Sequence, residues 1–209
     1  MAFKDIAIKS FGDQLAAGTA TPGGGSSAAR CASMGAGLVS MVANLTVGRE
    51  RYKDSQPVME ETLRKSELLR VKFMELIDED VAAFNNYMDA LRLPKGTGEE
   101  KEARRMAMSD ASKVTASVPL RMLEACADLA ELAVVAAKFG NRSAASDAGV
   151  AALLAEAVGR AAAYNVRVNL PGIDDENFAA ELKRKTETLL GGISRYASET
   201  AVIMEEVLG

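Results

Sequence analysis

Two aspartates hold the positions best suited to acid–base chemistry in a chain that contains no histidine. Without histidine, a Ser-His-Asp triad and a histidine-ligated zinc are excluded, and proton transfer must use Asp, Glu, Lys, Tyr or Cys. Asp80 falls at the border of an apolar helical seam, beside Phe84 and Tyr87, where partial desolvation would raise its pKa. The seam consists of apolar residues three and four positions apart: Met74, Ile77, Val81, Phe84, Met88 and Leu91. Asp147 follows Ser146, a candidate N-cap, in a first helical turn, where the helix dipole favours negative charge. Each aspartate also has a purely structural interpretation. Asp80 would be a hydrogen-bonded residue at the border of the core, and Asp147 would cap its helix.

A glycine-rich segment, residues 21–27, precedes a run of very small residues. Three consecutive glycines are tolerated where the backbone is unusual or where something must approach it closely. At a helix N-terminus such a segment would offer bare backbone N–H groups to a ligand. The alternative is a tight turn into a close-packed core helix. Gly25-Ser26-Ser27 lacks the lysine of a P-loop, which argues against nucleotide binding.

Helical periodicity accounts for nearly the whole chain, and no strand-like alternation appears. The predicted helices cover residues 6–17, 26–45, 56–93, 99–139, 146–168 and 174–208, and Pro119 is expected to break or kink the fourth. The second and fifth are rich in alanine and glycine nearly all round, so we expect a buried central pair. The prediction is an all-α antiparallel bundle of about six helices, with residues 1–209 as one domain.

Composition and charge exclude further classes of function. The 209 residues carry a net charge of −4, which argues against nucleic-acid binding. No apolar run approaches the length of a membrane span, and the first residues lack a signal pattern, so we expect a cytoplasmic protein without membrane contacts. The cysteines, Cys31 and Cys126, are expected to be buried free thiols.

Several motifs in a fixed order resemble the cyclodeaminase/cyclohydrolase family over almost the whole chain. They are Thr21-Pro-Gly-Gly-Gly-Ser26, Val39-Ser-Met-Val-Ala-Asn-Leu-Thr46 with Gly48 and Tyr52, Asp78-Glu-Asp80 with Phe84, Leu93-Pro-Lys95, Gly140-Asn141, Ser146-Asp-Ala-Gly-Val-Ala151 and Asn165-Val-Arg-Val-Asn-Leu170. The resemblance implies a helical homodimer and a tetrahydrofolate substrate, with no further cofactor and no metal. It implies either hydrolysis of 5,10-methenyltetrahydrofolate to 10-formyltetrahydrofolate or cyclisation of 5-formiminotetrahydrofolate with loss of ammonia. We favour the cyclohydrolase, because no transferase domain accompanies this chain; a folate-binding protein without activity is the lesser alternative.

Both reactions pass through a tetrahedral carbon between two nitrogens, so a carboxylate near that carbon would serve either. Asp80 is the candidate proton carrier and Asp147 the candidate stabiliser of positive charge. The candidate substrate-binding residues are Pro22, Gly23, Gly24, Gly25, Ser26 and Ser146 at the two helix starts, Asn44, Asn141, Asn165 and Asn169 for the pterin edge, and Arg51, Lys53, Arg92 and Lys95 for the glutamate tail.

Overall fold

Six α-helices form the bundle in the computed structural model, which describes residues 2–209. They are α1 (Ile8–Ala16), α2 (Gly24–Asn44), α3 (Gln56–Leu91), α4 (Gly98–Phe139), α5 (Ala145–Asn169) and α6 (Glu176–Leu208). Short 3-10 turns join several of them, and no strand occurs within the described residues. The predicted all-α fold is therefore confirmed.

The two small-residue helices, α2 and α5, pack directly against each other, as predicted. A Cβ added to Gly35 of α2 would lie 3.4 Å from the Cβ of Leu154 and 3.7 Å from the carbonyl oxygen of Ala151, both in α5. Backbones can approach this closely only where side chains are small. The two helices run antiparallel, so the N-terminus of α2 and the C-terminus of α5 lie at the same end of the molecule.

Helix α4 runs through Pro119 without a break, so of the two outcomes predicted there, a break or a kink, the break is wrong. It begins with a capping box, in which the Thr97 hydroxyl accepts from the Glu100 N–H and the Glu100 carboxylate accepts from the Thr97 N–H. Pro119 is buried among core residues, and packing on its neighbours holds the helix together there. The proline still removes one backbone hydrogen bond, and the carbonyl that it leaves free is used elsewhere.

Helix α2 is not buried on every side, because one stripe of it faces outward. Cys31 is exposed, contrary to the prediction, and Met34, Met41 and Leu45 are exposed on the same stripe. Cys126 in α4 is buried as predicted; both cysteines are free, and burial raises the pKa of the Cys126 thiol. None of the helices within residues 2–209 is long and apolar enough to cross a membrane.

Candidate active site

A cleft of about 350 Å³ lies where the N-terminus of α2 meets the middle of α3 and the C-terminus of α5. It combines the glycine-rich loop with a carboxylate, two aromatic rings and two carboxamides. Its lining is Ala20, Thr21, Gly23, Gly24, Gly25, Asp80, Ala83, Phe84, Tyr87, Thr115, Asn165, Val168 and Asn169. The cleft thus brings together the glycine-rich loop, one catalytic candidate and two of the four candidate asparagines.

Asp80 lies against the start of α2. Its carboxylate oxygen Oδ2 accepts a hydrogen bond of 3.0 Å from the Ser26 hydroxyl. Gly23, the N-cap, has no side chain to satisfy the free N–H groups of the first turn, and the Ser26 backbone N–H also turns to Asp80. The Asp80 side chain, contributed by α3, therefore takes the place of a local capping residue for α2.

Gly25 is what allows this approach. A Cβ at position 25 would lie 2.4 Å from Oδ1 of Asp80 and 2.7 Å from its Cγ, far inside contact distance. Any side chain here would displace the carboxylate from the helix start. The requirement for glycine at this position is therefore a close approach by a side chain, not a left-handed backbone conformation.

Burial raises the pKa of Asp80 above its usual value, while the hydrogen bonds from the Ser26 side chain and backbone oppose the rise. Desolvation is the larger effect, because the carboxylate is enclosed between α2 and α3. A carboxylate with a raised pKa holds a proton more firmly, which makes it a stronger base near neutral pH. The expectation of a partly desolvated carboxylate at the seam border is met.

The remaining walls suit a flat heteroaromatic ligand. Phe84 and Tyr87 follow Asp80 on the same face of α3 and supply aromatic surface. Asn165 and Asn169 project from the end of α5 and supply hydrogen-bonding groups. An apolar wall with a few placed polar groups is the usual composition of a small-molecule site.

A second polar group, here called the Asn141 cluster, consists of Thr46, Arg51, Tyr52 and Asn141 at the opposite end of α2. The Oδ1 atom of Asn141 accepts from the Arg51 guanidinium at 2.8 Å and from the Tyr52 hydroxyl at 3.0 Å. Its backbone N–H donates to the Thr46 hydroxyl at 2.9 Å. These bonds tie the loop after α2 to the start of α5.

Asp147 belongs to this far end and not to the cleft of its own chain. At about 1.5 Å per residue, it lies roughly 27 Å along α5 from Asn165. Ser146, Asn44 and Lys53 are exposed near the same end, while the buried Pro22 lies in the loop entering α2. Arg92 pairs with Asp89 at the end of α3, and Lys95 is exposed in the loop that follows; neither lines the cleft. Within one chain, the predicted site residues therefore fall into separate groups.

Sequence reasoning missed Ala20, Ala83, Thr115 and Val168 as lining residues. Thr115 contributes through its backbone carbonyl, which accepts from the Asn169 amide at 3.1 Å. The signal was present four residues later, in Pro119, whose missing N–H frees that carbonyl. Val168 has only an apolar side chain, and nothing in its type marks a site.

The helical fold is shared with a known family of proteins, which comparison of the sequence and the structure identifies. A family profile described as formiminotransferase-cyclodeaminase matches residues 7–188, and the chain belongs to that family. Among curated relatives, a methenyltetrahydrofolate cyclohydrolase of Methylorubrum extorquens is 45% identical, covering 88% of each chain. A formimidoyltransferase-cyclodeaminase of Sus scrofa is 33% identical over 88% of this chain, which spans about a third (34%) of that longer relative. The crystal structure of a formiminotetrahydrofolate cyclodeaminase from Thermotoga maritima superposes with a TM-score of 0.89, at 30% identity and 99% coverage of both chains.

Proposed function

We propose that this protein is a methenyltetrahydrofolate cyclohydrolase and that the cleft at the start of α2 binds the folate. The observation that carries the proposal is the half-buried Asp80 carboxylate, held at a helix N-terminus inside a cleft with aromatic and carboxamide walls. Similarity to the Methylorubrum cyclohydrolase supports this choice of reaction. No cofactor beyond the tetrahydrofolate substrate enters the proposal.

In the proposed reaction, Asp80 acts first as a base. It takes a proton from a water molecule whose oxygen forms a bond to the amidinium carbon of the methenyl bridge, giving a neutral tetrahedral adduct. The protonated Asp80 then delivers this proton to N5 as the bond between that carbon and N5 breaks. The hydroxyl of the adduct loses its proton to solvent as the formyl C=O forms. The substrate cation and water thus give neutral 10-formyltetrahydrofolate and one released proton.

Loss of the ultraviolet band of methenyltetrahydrofolate tests the proposal directly. Wild-type protein is expected to accelerate that loss, and Asp80→Asn to reduce kcat by about 10²–10⁴-fold, the usual contribution of a positioned acid–base group. Asp128→Asn is the matched control. Asp128 is an exposed aspartate whose pKa is also raised, mainly by desolvation, but it lies in a separate groove between α3 and α4. Full activity in Asp80→Asn, or equal losses in both variants, would contradict the assignment.

Cyclodeaminase activity is the second candidate, favoured by the close superposition with the Thermotoga cyclodeaminase. The same carboxylate would serve ring closure and loss of ammonia, because both reactions share a tetrahedral carbon between two nitrogens. Incubation with 5-formiminotetrahydrofolate separates the two: appearance of the methenyl band, with ammonia release, is the result that deamination predicts. A protein that binds folate but changes neither band would be a binding protein without catalysis.

We propose further that the protein is a homodimer and that its interface is the exposed apolar surface of α2 and α5. Along α2 it presents Met34, Met41 and Leu45, and along α5 it presents Val150, Leu153, Tyr164 and Val168. Several of these are well exposed, Leu153 by 65% and Val168 by 72%. Exposed apolar side chains along both helices indicate a protein partner.

A second copy suits this face, because twofold symmetry would join its two ends. In an antiparallel pairing, the cleft end of one α2–α5 pair meets the Asn141 cluster of the other protomer. Arg49, Arg51, Lys53 and Arg142 lie at that end beside the acidic Glu50, Asp54 and Asp147, and none of these four cations has a carboxylate within 4.0 Å among residues 2–209. The partner's Arg51 would then approach the cleft that holds Asp80. The same pairing would bring the partner's Asp147 toward the substrate.

Subunit complementation tests this arrangement. Asp80→Asn and Arg51→Ala are expected to be impaired separately, and to regain about one quarter of wild-type activity when unfolded together and refolded as mixed dimers. That fraction follows because half of the dimers are mixed and each mixed dimer restores one of two sites. Leu153→Glu should give monomers by sedimentation. Recovery no greater than the sum of the separate variants would refute the shared site.

We also place the reaction in the cytoplasm, because two free cysteines, one of them exposed, suit a reducing compartment. Cell fractionation with an activity assay tests this placement.

A further inference from the structure

Pro119 is a buried proline in the interior of α4. Proline has no backbone N–H, so the Thr115 carbonyl, four residues earlier, loses its helical donor. The ring also crowds that carbonyl and tilts it away from the helix axis. Helix α4 thus presents one free acceptor on its side, at a residue that lines the cleft.

Asn169 uses this acceptor. Its Nδ2 amide donates to the Thr115 carbonyl at 3.1 Å and to the Asn165 carbonyl at 2.7 Å. A carboxamide has two N–H donors and one carbonyl oxygen, so both donors are committed to the protein. The flipped amide would set its oxygen against two carbonyl oxygens, and repulsion excludes that orientation.

The consequence is a defined polarity at the cleft. The Oδ1 atom of Asn169 receives no protein hydrogen bond within the part of the chain that the structure describes, and Asn169 lines the cleft. A ligand reaching this side chain meets a hydrogen-bond acceptor only. The site therefore selects a ligand edge that offers an N–H group.

We propose that Pro119 is a positioning residue that fixes Asn169 as an acceptor for an N–H donor of the ligand. The inference rests on the proposed function for the identity of that ligand: the pyrimidinone edge of a pterin carries ring and exocyclic N–H donors. Helix α4 lacks one of its own hydrogen bonds at this position, and the bond that Asn169 of α5 donates to the Thr115 carbonyl replaces it. A helix breaker thus persists in a buried helix because it orients a binding group.

Replacement of the proline is expected to affect stability and binding in opposite directions. Pro119→Ala restores the N–H, so the Thr115 carbonyl turns back into the helix and the melting temperature is expected to stay the same or rise. Asn169 then loses its anchor, and KM for methenyltetrahydrofolate is expected to rise about tenfold, the loss of one hydrogen bond, with a smaller change in kcat. Pro94→Ala, at an exposed loop proline, is the matched control and should leave KM unchanged.

A double-mutant cycle separates positioning from a general structural effect. Asn169→Ala should raise KM to a similar extent, and Pro119→Ala should add little in the Asn169→Ala background. Additive effects, or an unchanged KM in Pro119→Ala, would overturn the proposal. A fall in melting temperature, together with a rise in KM and an equally large fall in kcat, would also overturn it.

A spectroscopic measurement keeps this test independent of activity. The side-chain amide resonances of Asn169, assigned by their absence in Asn169→Ala, should exchange slowly with solvent in the wild type and faster in Pro119→Ala. Equal exchange rates would overturn the positioning role even if the protein hydrolyses methenyltetrahydrofolate. Slow exchange together with no catalysis would support the positioning role while contradicting the proposed function.

Discussion

Gly25→Ala tests the site through a single added methyl group. Its Cβ would lie 2.4 Å from Oδ1 and 2.7 Å from both Cγ and Oδ2 of Asp80, whereas ordinary contact begins at 3.4 Å. The carboxylate must therefore retreat by about 1 Å, a displacement that can lower the rate of an oriented reaction about 10²-fold. The hydrogen bond to Ser26 would lengthen or break at the same time.

The effect on stability is expected to be smaller than the effect on rate. Overpacking of this kind costs about 1–3 kcal/mol, and the better helix propensity of alanine returns up to about 1 kcal/mol. We expect a net loss of roughly 0–2 kcal/mol, which for a domain of this size lowers the melting temperature by up to about 8 °C. The folded population therefore stays high, and the rate measures the position of Asp80.

The assay is kcat/KM for methenyltetrahydrofolate, measured beside thermal unfolding, with Gly192→Ala as the matched control. Gly192 lies inside α6, and a Cβ there meets nothing within 4 Å. That variant should keep wild-type activity and gain about 0.5–1 kcal/mol of stability. Wild-type kcat/KM in a folded Gly25→Ala protein would refute the dependence on the position of Asp80.

The other predictions concern the two aspartates. Because burial raises the folded-state pKa of Asp80 above its unfolded value, wild-type stability declines as the pH rises through the folded pKa. Asp80→Asn should therefore gain stability relative to wild type at neutral pH, and the gain should vanish below about pH 3, where the carboxyl is protonated in both states. Urea unfolding across pH measures this; a gain that does not depend on pH would contradict the desolvated carboxylate. Asp147→Asn should lower kcat about tenfold, because charge stabilisation is lost. It should also lower the free energy of unfolding by about 0.3–1 kcal/mol, because the interaction with the helix dipole is lost. An unchanged kcat in steady-state assays would leave Asp147 with only a structural role at the helix start.

The fold could be predicted well because helical periodicity is a local property. The small-residue character of α2 and α5 correctly indicated a packed central pair, since glycine and alanine allow backbones to meet. The break predicted at Pro119 was wrong, because local propensity counts the lost hydrogen bond but not the burial of the surrounding turns or the replacement donor from Asn169. Exposure of Cys31 was also unpredictable from composition, because an apolar stripe has the same sequence whether it faces a core or a partner.

The candidate site was only partly predictable, for a reason that lies in helix direction. The starts of α2 and α5 share one design, a loop followed by small residues, which suggested that Ser26 and Asp147 serve one site. Antiparallel packing sets those two helix starts at opposite ends, so within one chain the start of α2 meets the end of α5, with Asn165 and Asn169. Two helix starts at opposite ends of one chain can serve one site only if they come from different protomers, as they would across a twofold axis. The resemblance between the starts of α2 and α5 is therefore itself an argument for a site shared between protomers, and mixed dimers of the Asp80 and Arg51 variants decide it.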